Sequence, residues 1–276
     1  MIYRLSNATH CRMISRGQNY DLDHAQAKYA STIFACWRRT GDCKVLTLTR
    51  SNAASAKHIS AHFIAEGAFA GAEDPRGFTY DNENYIIFNA ASRVMMNAGS
   101  TSFQARQMFI SRLAGRDLRD TSIILTESSN MVTAKNFVPI VTENAVFLVT
   151  SFEPFDICQL SFHVATFGVC KRKYYAEKHN HSFFANAIHG GSNTVATASG
   201  YLTVVHFVVH GLFGRLYVHK FALLSNVFPH EPVWFSQSFL LPSTDLLEVN
   251  NDIAFVSGLR PGSTDDEFIL LYGVGD

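Results

Sequence analysis

Apolar and polar residues alternate along most of the chain in short runs that favour β-strands. Runs rich in Val, Ile, Phe, Tyr and Thr recur from about residue 29 to residue 272, whereas long amphipathic helical patterns with capping residues are scarce. An Ala-rich window at 51–72 is the exception and is compatible with a short helix or a long loop. The pattern therefore predicts an all-β protein.

A unit of strand, polar turn, second strand and third strand is repeated along the chain. In its clearest copy, Tyr85–Phe88 follows the polar turn Asp81–Asn84 and precedes Met108–Leu113. The second strands of the five copies begin near residues 29, 85, 145, 201 and 253. A repeat of this length matches a four-stranded blade. We predict a five-bladed β-propeller that forms a single domain over residues 1–276; a two-sheet sandwich would not explain five similar units.

Composition narrows the function further. Lys and Arg number 23, as do Asp and Glu, and 47% of the residues are hydrophobic, which argues against a disordered chain, and against a nucleic-acid partner. No run approaches the length of a membrane span, so no membrane partner is expected. The five cysteines form no CxxC pair, which argues against a disulfide scaffold or a zinc ribbon. With no export signal, we expect a reducing, cytoplasmic location. We also expect no cofactor and no metal.

Polar clusters stand at the beginning of each predicted innermost strand. The clusters are Asp21–His24, Glu73–Arg76, Lys135–Asn136, His189–Asn193 and Ser243–Asp245. The second strands end in further polar residues, among them Arg38, Arg39 and His206. Because these strand ends surround one mouth of a propeller channel, we expect one polar pocket, suited to one or two sugar rings.

Each cluster also has a simpler interpretation when it is considered alone. Asp74-Pro75-Arg76 is a turn signature, because Pro presets the backbone. Gly190-Gly191 is typical of a β-bulge. His206, inside an apolar strand, is typical of a core or channel histidine.

Taken in order, the clusters resemble the β-mannoside phosphorylases, which are five-bladed propellers, and their protozoan relatives, the β-1,2-mannosyltransferase/phosphorylases. The resemblance is carried by Glu73–Arg76, Lys135–Pro139, Gly190–Ser192 with Gly200–His206, and Tyr272–Asp276. Asp23-His24 stands where the family often has Asn-Pro-Ser, and Val205 where it commonly has Tyr.

The resemblance implies an inverting β-1,2-mannan phosphorylase and mannosyltransferase. Its partners would be a β-1,2-mannooligosaccharide and inorganic phosphate or mannose 1-phosphate, with GDP-mannose as a further donor. Asp74 would be the general acid, acting through the 3-hydroxyl of the bound mannose. Phosphate or the donor would be bound by Arg38, Arg39, Lys135 and His206, and mannose by Asp23, Arg76, Asn136, Ser192, Tyr272 and Asp276.

Two alternatives remain open at the level of sequence. A non-catalytic propeller would bind a glycan or a protein without turnover. An inverting β-mannoside hydrolase would need a second carboxylate across the pocket, for which Glu153 and Glu248 are the candidates.

Overall fold

The computed structural model describes residues 34–36, 43–45, 47–48, 73–94, 103–114, 117–126, 135–176, 188–211, 214–241, 254–264 and 267–274. Their strands are β1 (Phe34–Cys36), β2 (Cys43–Val45), β3 (Thr47–Leu48), β4 (Glu73–Tyr80), β5 (Glu83–Val94), β6 (Phe103–Ala114), β7 (Asp117–Ile123), β8 (Leu125–Thr126), β9 (Val138–Val141), β10 (Val146–Phe152), β11 (Phe155–Leu160), β12 (Val169–Tyr175), β13 (His189–Gly190), β14 (Val195–Thr197), β15 (Gly200–Gly211), β16 (Gly214–Leu224), β17 (Pro232–Phe235), β18 (Ala254–Pro261) and β19 (Phe268–Val274). A single 3-10 turn, Val164–Thr166, is the only helical element in these ranges. For the described residues, the all-β prediction is confirmed.

The described strands form five sheets. Their orders are β1-β2, β3-β7-β6-β5-β4, β8-β12-β11-β10-β9, β13-β15-β16-β17 with β14 also on β15, and β18-β19. Neighbours along the chain pair antiparallel, as expected of hairpins, and β3 and β8 are added in parallel. Closure of these sheets into a five-bladed propeller, and a single domain over residues 1–276, stay predictions.

The chain divides into two compact units. Of the described residues, those within 136–159 and 172–274 belong to the first unit, and those within 34–135 and 160–171 belong to the second. In the described part of the chain, no helix is long and apolar enough to cross a membrane.

The core of the first unit explains why its strands are apolar on both faces. On one face of the β13–β17 sheet, Val205 and Ala222 pack in a cluster with Val138 of β9. On the other face, Val204 packs in a cluster with Val256 of β18. Because successive side chains of a strand point to opposite faces, a strand between two sheets has no polar face to present.

The hairpin of β4 and β5 turns on Asp81 and Asn82, which have φ angles of 50° and 60°. Two adjacent residues with positive φ characterise the tight turn that joins twisted strands, and Asp and Asn tolerate that conformation best after Gly. The turn is shorter than the predicted Asp81–Asn84, since Glu83 and Asn84 pair with Tyr80 and Thr79.

Aromatic side chains pack together in the second unit. The Phe162 ring centre lies 4.8 Å from those of Tyr80 and Tyr85, and 6.3 Å from that of Phe167. The chain around Phe162 is closed by hydrogen bonds from Ser161 N to Val169 O, 2.8 Å, and from Gly168 N to Ser161 O, 3.2 Å. Phe162 therefore connects the β4–β5 hairpin to the segment between β11 and β12.

Truncating this ring should destabilise the protein. We expect Phe162→Ala to lower the free energy of unfolding by about 3 kcal/mol, because the ring contacts and the buried area are lost together. Urea unfolding would measure it. Val164→Ala in the same segment is the control, since Val164 is 89% exposed, and equal losses for the two variants would contradict the prediction.

Two of the cysteines differ from the expectation of reduced thiols. Cys158 and Cys170 are both disulfide-bonded and buried. The reducing, cytoplasmic location stays a prediction.

Candidate functional site

Asp74 lies in a β-bulge at the beginning of β4. Glu73 pairs with Asn89 and Arg76 pairs with Ile87, so two residues of β4, Asp74 and Pro75, lie opposite one residue of β5. A bulge accepts Pro75 because no ladder hydrogen bond is required of its nitrogen. Asp74 has a φ of 51°, a conformation that a non-glycine residue adopts only when its surroundings impose it. The Asp74-Pro75-Arg76 stretch is thus a bulge and not a turn, and the bulge changes the direction of the Asp74 carboxylate.

Asn89 holds that carboxylate, and the sequence interpretation missed it. Its Nδ2 donates a hydrogen bond of 2.8 Å to Oδ2 of Asp74, and Asn89 is completely buried. Because Oδ2 accepts from an amide, a proton on the neutral acid is directed to Oδ1. The available signal was a polar residue directly after the apolar run Ile86–Phe88.

Arg76 stabilises the bulge through a hydrogen bond to its main chain. Its side chain is completely buried, and Nη1 donates to the main-chain oxygen of Asp74 at 3.0 Å. Burial lowers the pKa of Arg76 to about 10, and the charge of Asp74 opposes that shift. Arg76 is therefore a buried cation at neutral pH, and its direct contact with mannose stays a prediction.

Asn136 lies where the backbone of β13 comes close to the chain that precedes β9. It is buried, precedes β9 and has a φ of 64°. A Cβ atom on Gly190 would overlap Asn136 O and Val138 Cγ2, so only glycine lets β13 approach here. Lys135, one residue earlier, is exposed.

The Gly190-Gly191-Ser192 stretch forms a bulge, in agreement with its simpler interpretation. Residues 191–194 lie opposite only two residues of β15, since Gly190 pairs with Val205 and Val195 pairs with Leu202. Gly191 N and Ser192 N both donate to Val204 O, at 2.9 and 3.1 Å. Ser192 Oγ in turn accepts from Val204 N at 2.9 Å. The buried Ser192 hydroxyl thus completes the strand pairing, and its contact with mannose stays a prediction.

His206 is the middle residue of a row of three histidines, which we call the histidine row. His189 on β13 and His219 on β16 pair with His206 across the sheet, with ring centres 5.6 and 6.2 Å from that of His206. His206 is 2% exposed and packs against the rings of Tyr217 at 5.2 Å and Phe255 at 5.0 Å. This placement fits the core-histidine interpretation, and phosphate binding by His206 stays a prediction.

His219 is unusual in the histidine row. It is completely buried, and neither ring nitrogen has a hydrogen-bond partner among the described residues. Its ring stacks on Phe239, 5.8 Å away, and burial lowers the pKa of His219 to about 4. His219 is therefore neutral at physiological pH.

The neutral state of His219 makes stability depend on pH. Between the ordinary pKa of 6.5 and the folded value of about 4, the unfolded chain takes up a proton that the folded chain does not, so stability falls as the pH falls through this window. From pH 7 to pH 4.5, the wild type should lose about 2 kcal/mol more than His219→Leu does, because the variant lacks this proton uptake. Urea titrations of both proteins at the two pH values would measure the difference, and parallel losses would contradict it.

The remaining predicted residues divide into described and undescribed positions. Tyr272 pairs with Val256 and packs against the cluster that contains Val204. Glu153 lies in the turn between β10 and β11, before a cis proline. Asp23, Arg38, Arg39, Glu248 and Asp276 lie outside the described residues.

The structure brings some predicted residues together within each unit. Asp74 and Arg76 meet, with Asn89, in the second unit, and Ser192 and His206 lie on one sheet of the first. Asp74, Asn136 and His189 each stand at or just before the beginning of a strand that ends its sheet, namely β4, β9 and β13. Their convergence on one channel stays a prediction. Across the described ranges, no group of three His, Cys, Asp or Glu residues is arranged to hold a metal ion.

No family model matches the chain, and no curated protein matches it either. Among solved structures, the chain is similar to β-1,2-mannobiose phosphorylase from Listeria innocua in complex with β-1,2-mannobiose, with a TM-score of 0.47 and 16% identity over 74% of this chain. It is also similar to α-L-arabinanase from Cellvibrio cellulosa in two structures, with TM-scores of 0.46 and 0.44, 13% and 12% identity, and coverage of 88% of this chain and 79% and 84% of those chains. The chain spans 55% of the length of the phosphorylase.

Proposed function

We propose that the chain is an enzyme that processes glycosides, and specifically an inverting β-1,2-mannan phosphorylase. The observation that supports it best is the geometry of Asp74: a half-buried carboxylate in a bulge, in a left-handed conformation, with one oxygen held by Asn89. Bulges with residues in sparsely populated conformations are concentrated at active sites. The ordered motifs of the sequence supply the substrate class.

In the proposed reaction, phosphate attacks C1 of the terminal mannose from the face opposite the glycosidic oxygen. The C1–O bond to the leaving sugar breaks as the C1–O bond to phosphate forms. The proton of Asp74 passes through the mannose 3-hydroxyl to the leaving oxygen. The products are α-mannose 1-phosphate and a shortened oligosaccharide.

A single carboxyl group is sufficient for this chemistry. An inverting hydrolase needs a second carboxylate to activate water, whereas phosphate is already an anion and needs positive groups to receive it. We assign this role to Arg38, Arg39, Lys135 and His206, since guanidinium, ammonium and imidazolium groups donate strong hydrogen bonds to phosphate. Run in reverse, the reaction extends a β-1,2-mannan from mannose 1-phosphate. GDP-mannose, also an α-linked donor, would give the same β product.

A product assay tests the proposal. The protein is incubated with β-1,2-mannobiose and inorganic phosphate, and we expect mannose 1-phosphate with the α configuration. Parallel incubations replace phosphate with buffer, or supply GDP-mannose and an acceptor.

Each other outcome identifies a different function. Free mannose without phosphate would indicate a hydrolase, and loss of that activity in Glu153→Gln would identify its second carboxylate. Binding of mannobiose without any product would indicate a non-catalytic glycan-binding protein. Mannan extension from GDP-mannose alone would indicate a sugar-nucleotide transferase.

A further inference from the structure

His219 combines complete burial with two ring nitrogens that have no hydrogen-bond partner among the described residues. Such a group weakens folding, because its polar atoms leave water without compensation. An apolar side chain of similar volume would stabilise the fold more at this position. A buried polar group of this kind requires an explanation beyond packing.

The surroundings of His219 point to His206. The described groups that contact the ring are His206 on β15 and Phe239 after β17. His206 is also flanked by His189 on β13 and by Phe255 on β18. His219 thus places a polar ring beside His206 in surroundings that are otherwise largely aromatic.

A neutral imidazole keeps one ring nitrogen as an acceptor, whereas a protonated imidazole is a donor at both nitrogens. An anion bound to His206 favours the protonated ring, and the N–H that does not face the anion must then be tolerated inside the protein. The His219 ring, whose centre lies 6.2 Å from that of His206, is a dipole that favours this state where an apolar neighbour would not.

We propose that His219 is a positioning residue for the site at which phosphate binds, and that it acts through His206. The proposal rests on the proposed function, because it takes phosphate to be the anion that His206 binds. His219 touches neither substrate, and its neutral ring stabilises the orientation of the His206 ring that directs an N–H to phosphate.

Steady-state kinetics with two substrates tests the role. In His219→Leu we expect KM for phosphate to rise about tenfold, KM for mannobiose to stay within twofold, and the melting temperature at pH 7.5 to rise. His219→Gln, which restores a donor and an acceptor, should recover part of the phosphate affinity. His163→Leu makes the same change at an exposed histidine and should alter neither KM.

An NMR measurement separates failure of this proposal from failure of the proposed function. The side-chain 15N signals of His206, assigned with His206→Asn, are compared between the wild type and His219→Leu or His219→Gln, without substrate. Shifts in the His206 signals by several ppm in His219→Leu support the coupling even if the wild type shows no phosphorolysis. Unchanged His206 signals, or an unchanged KM for phosphate in an active protein, would overturn it and leave His219 with a packing role only.

Discussion

Replacing Asp74 with Asn should reduce phosphorolysis of β-1,2-mannobiose by about 10³-fold, within the range expected for loss of a general acid. Asn has the same shape as Asp and also tolerates a positive φ, so the bulge at φ 51° should persist. The Asn side chain retains an oxygen that can accept from Asn89 Nδ2, but it has no carboxyl proton to transfer. The loss should therefore appear in kcat, with KM for mannobiose changed less than threefold.

Asp81→Asn provides a matched control for this experiment. Asp81 has a φ of 50° and is exposed in the turn at the other end of β4, so the variant repeats the change in charge and the backbone requirement. We expect its kcat to stay within twofold of the wild type. Equal kcat values for Asp74→Asn and the wild type, with unfolding curves that coincide, would remove Asp74 from the mechanism.

The sequence predicted the strands better than their registers. Strands are found at the predicted Tyr85–Phe88, Met108–Leu113 and Tyr201–Phe207, because period-two alternation and polar turns are local signals that survive packing. The number of blades stays a prediction. The bulge at Asp74 is not local: it exists because Glu73 and Arg76 pair with Asn89 and Ile87, more than ten residues away. A turn signature and a bulge look alike until that pairing is known.

Burial explains the other differences between sequence and structure. Arg76 is read from the sequence as a pocket residue, yet its side chain is completely buried, with Nη1 on Asp74 O. His219 was not singled out, because a lone histidine in an apolar strand carries no sign of its missing partners. The disulfide-bonded state of Cys158 and Cys170 was missed because disulfide formation depends on side chains that meet in space and not on a CxxC spacing.

Replacing Gly190 with Ala should lower the free energy of unfolding by about 3 kcal/mol, at the upper end of the usual effect of overpacking. The new Cβ would overlap the main-chain oxygen of Asn136 and the Val138 side chain. Relief requires movement of the backbone, since Asn136 is buried and already held at a φ of 64°. β13 would then separate from the chain that precedes β9, and the effect would reach Asn136 itself. Urea unfolding measures the loss, and KM for mannobiose at a temperature where the variant is folded reports on Asn136.

Gly77→Ala separates this clash from the general effect of adding a methyl group to a strand. Gly77 lies on β4, and a Cβ there would meet only Tyr85 O, at an ordinary 3.8 Å. This variant should be neutral or stabilise the protein by a few tenths of a kcal/mol, because alanine restricts the unfolded chain. If Gly190→Ala were as stable as Gly77→Ala, the close approach of β13 to Asn136 would not be rigid. If Gly190→Ala lost stability while KM for mannobiose stayed constant, Asn136 would have no part in binding the sugar. We expect Gly190→Ala to lower the free energy of unfolding and to raise KM for mannobiose, because one contact between backbones positions both the strand and the Asn136 side chain.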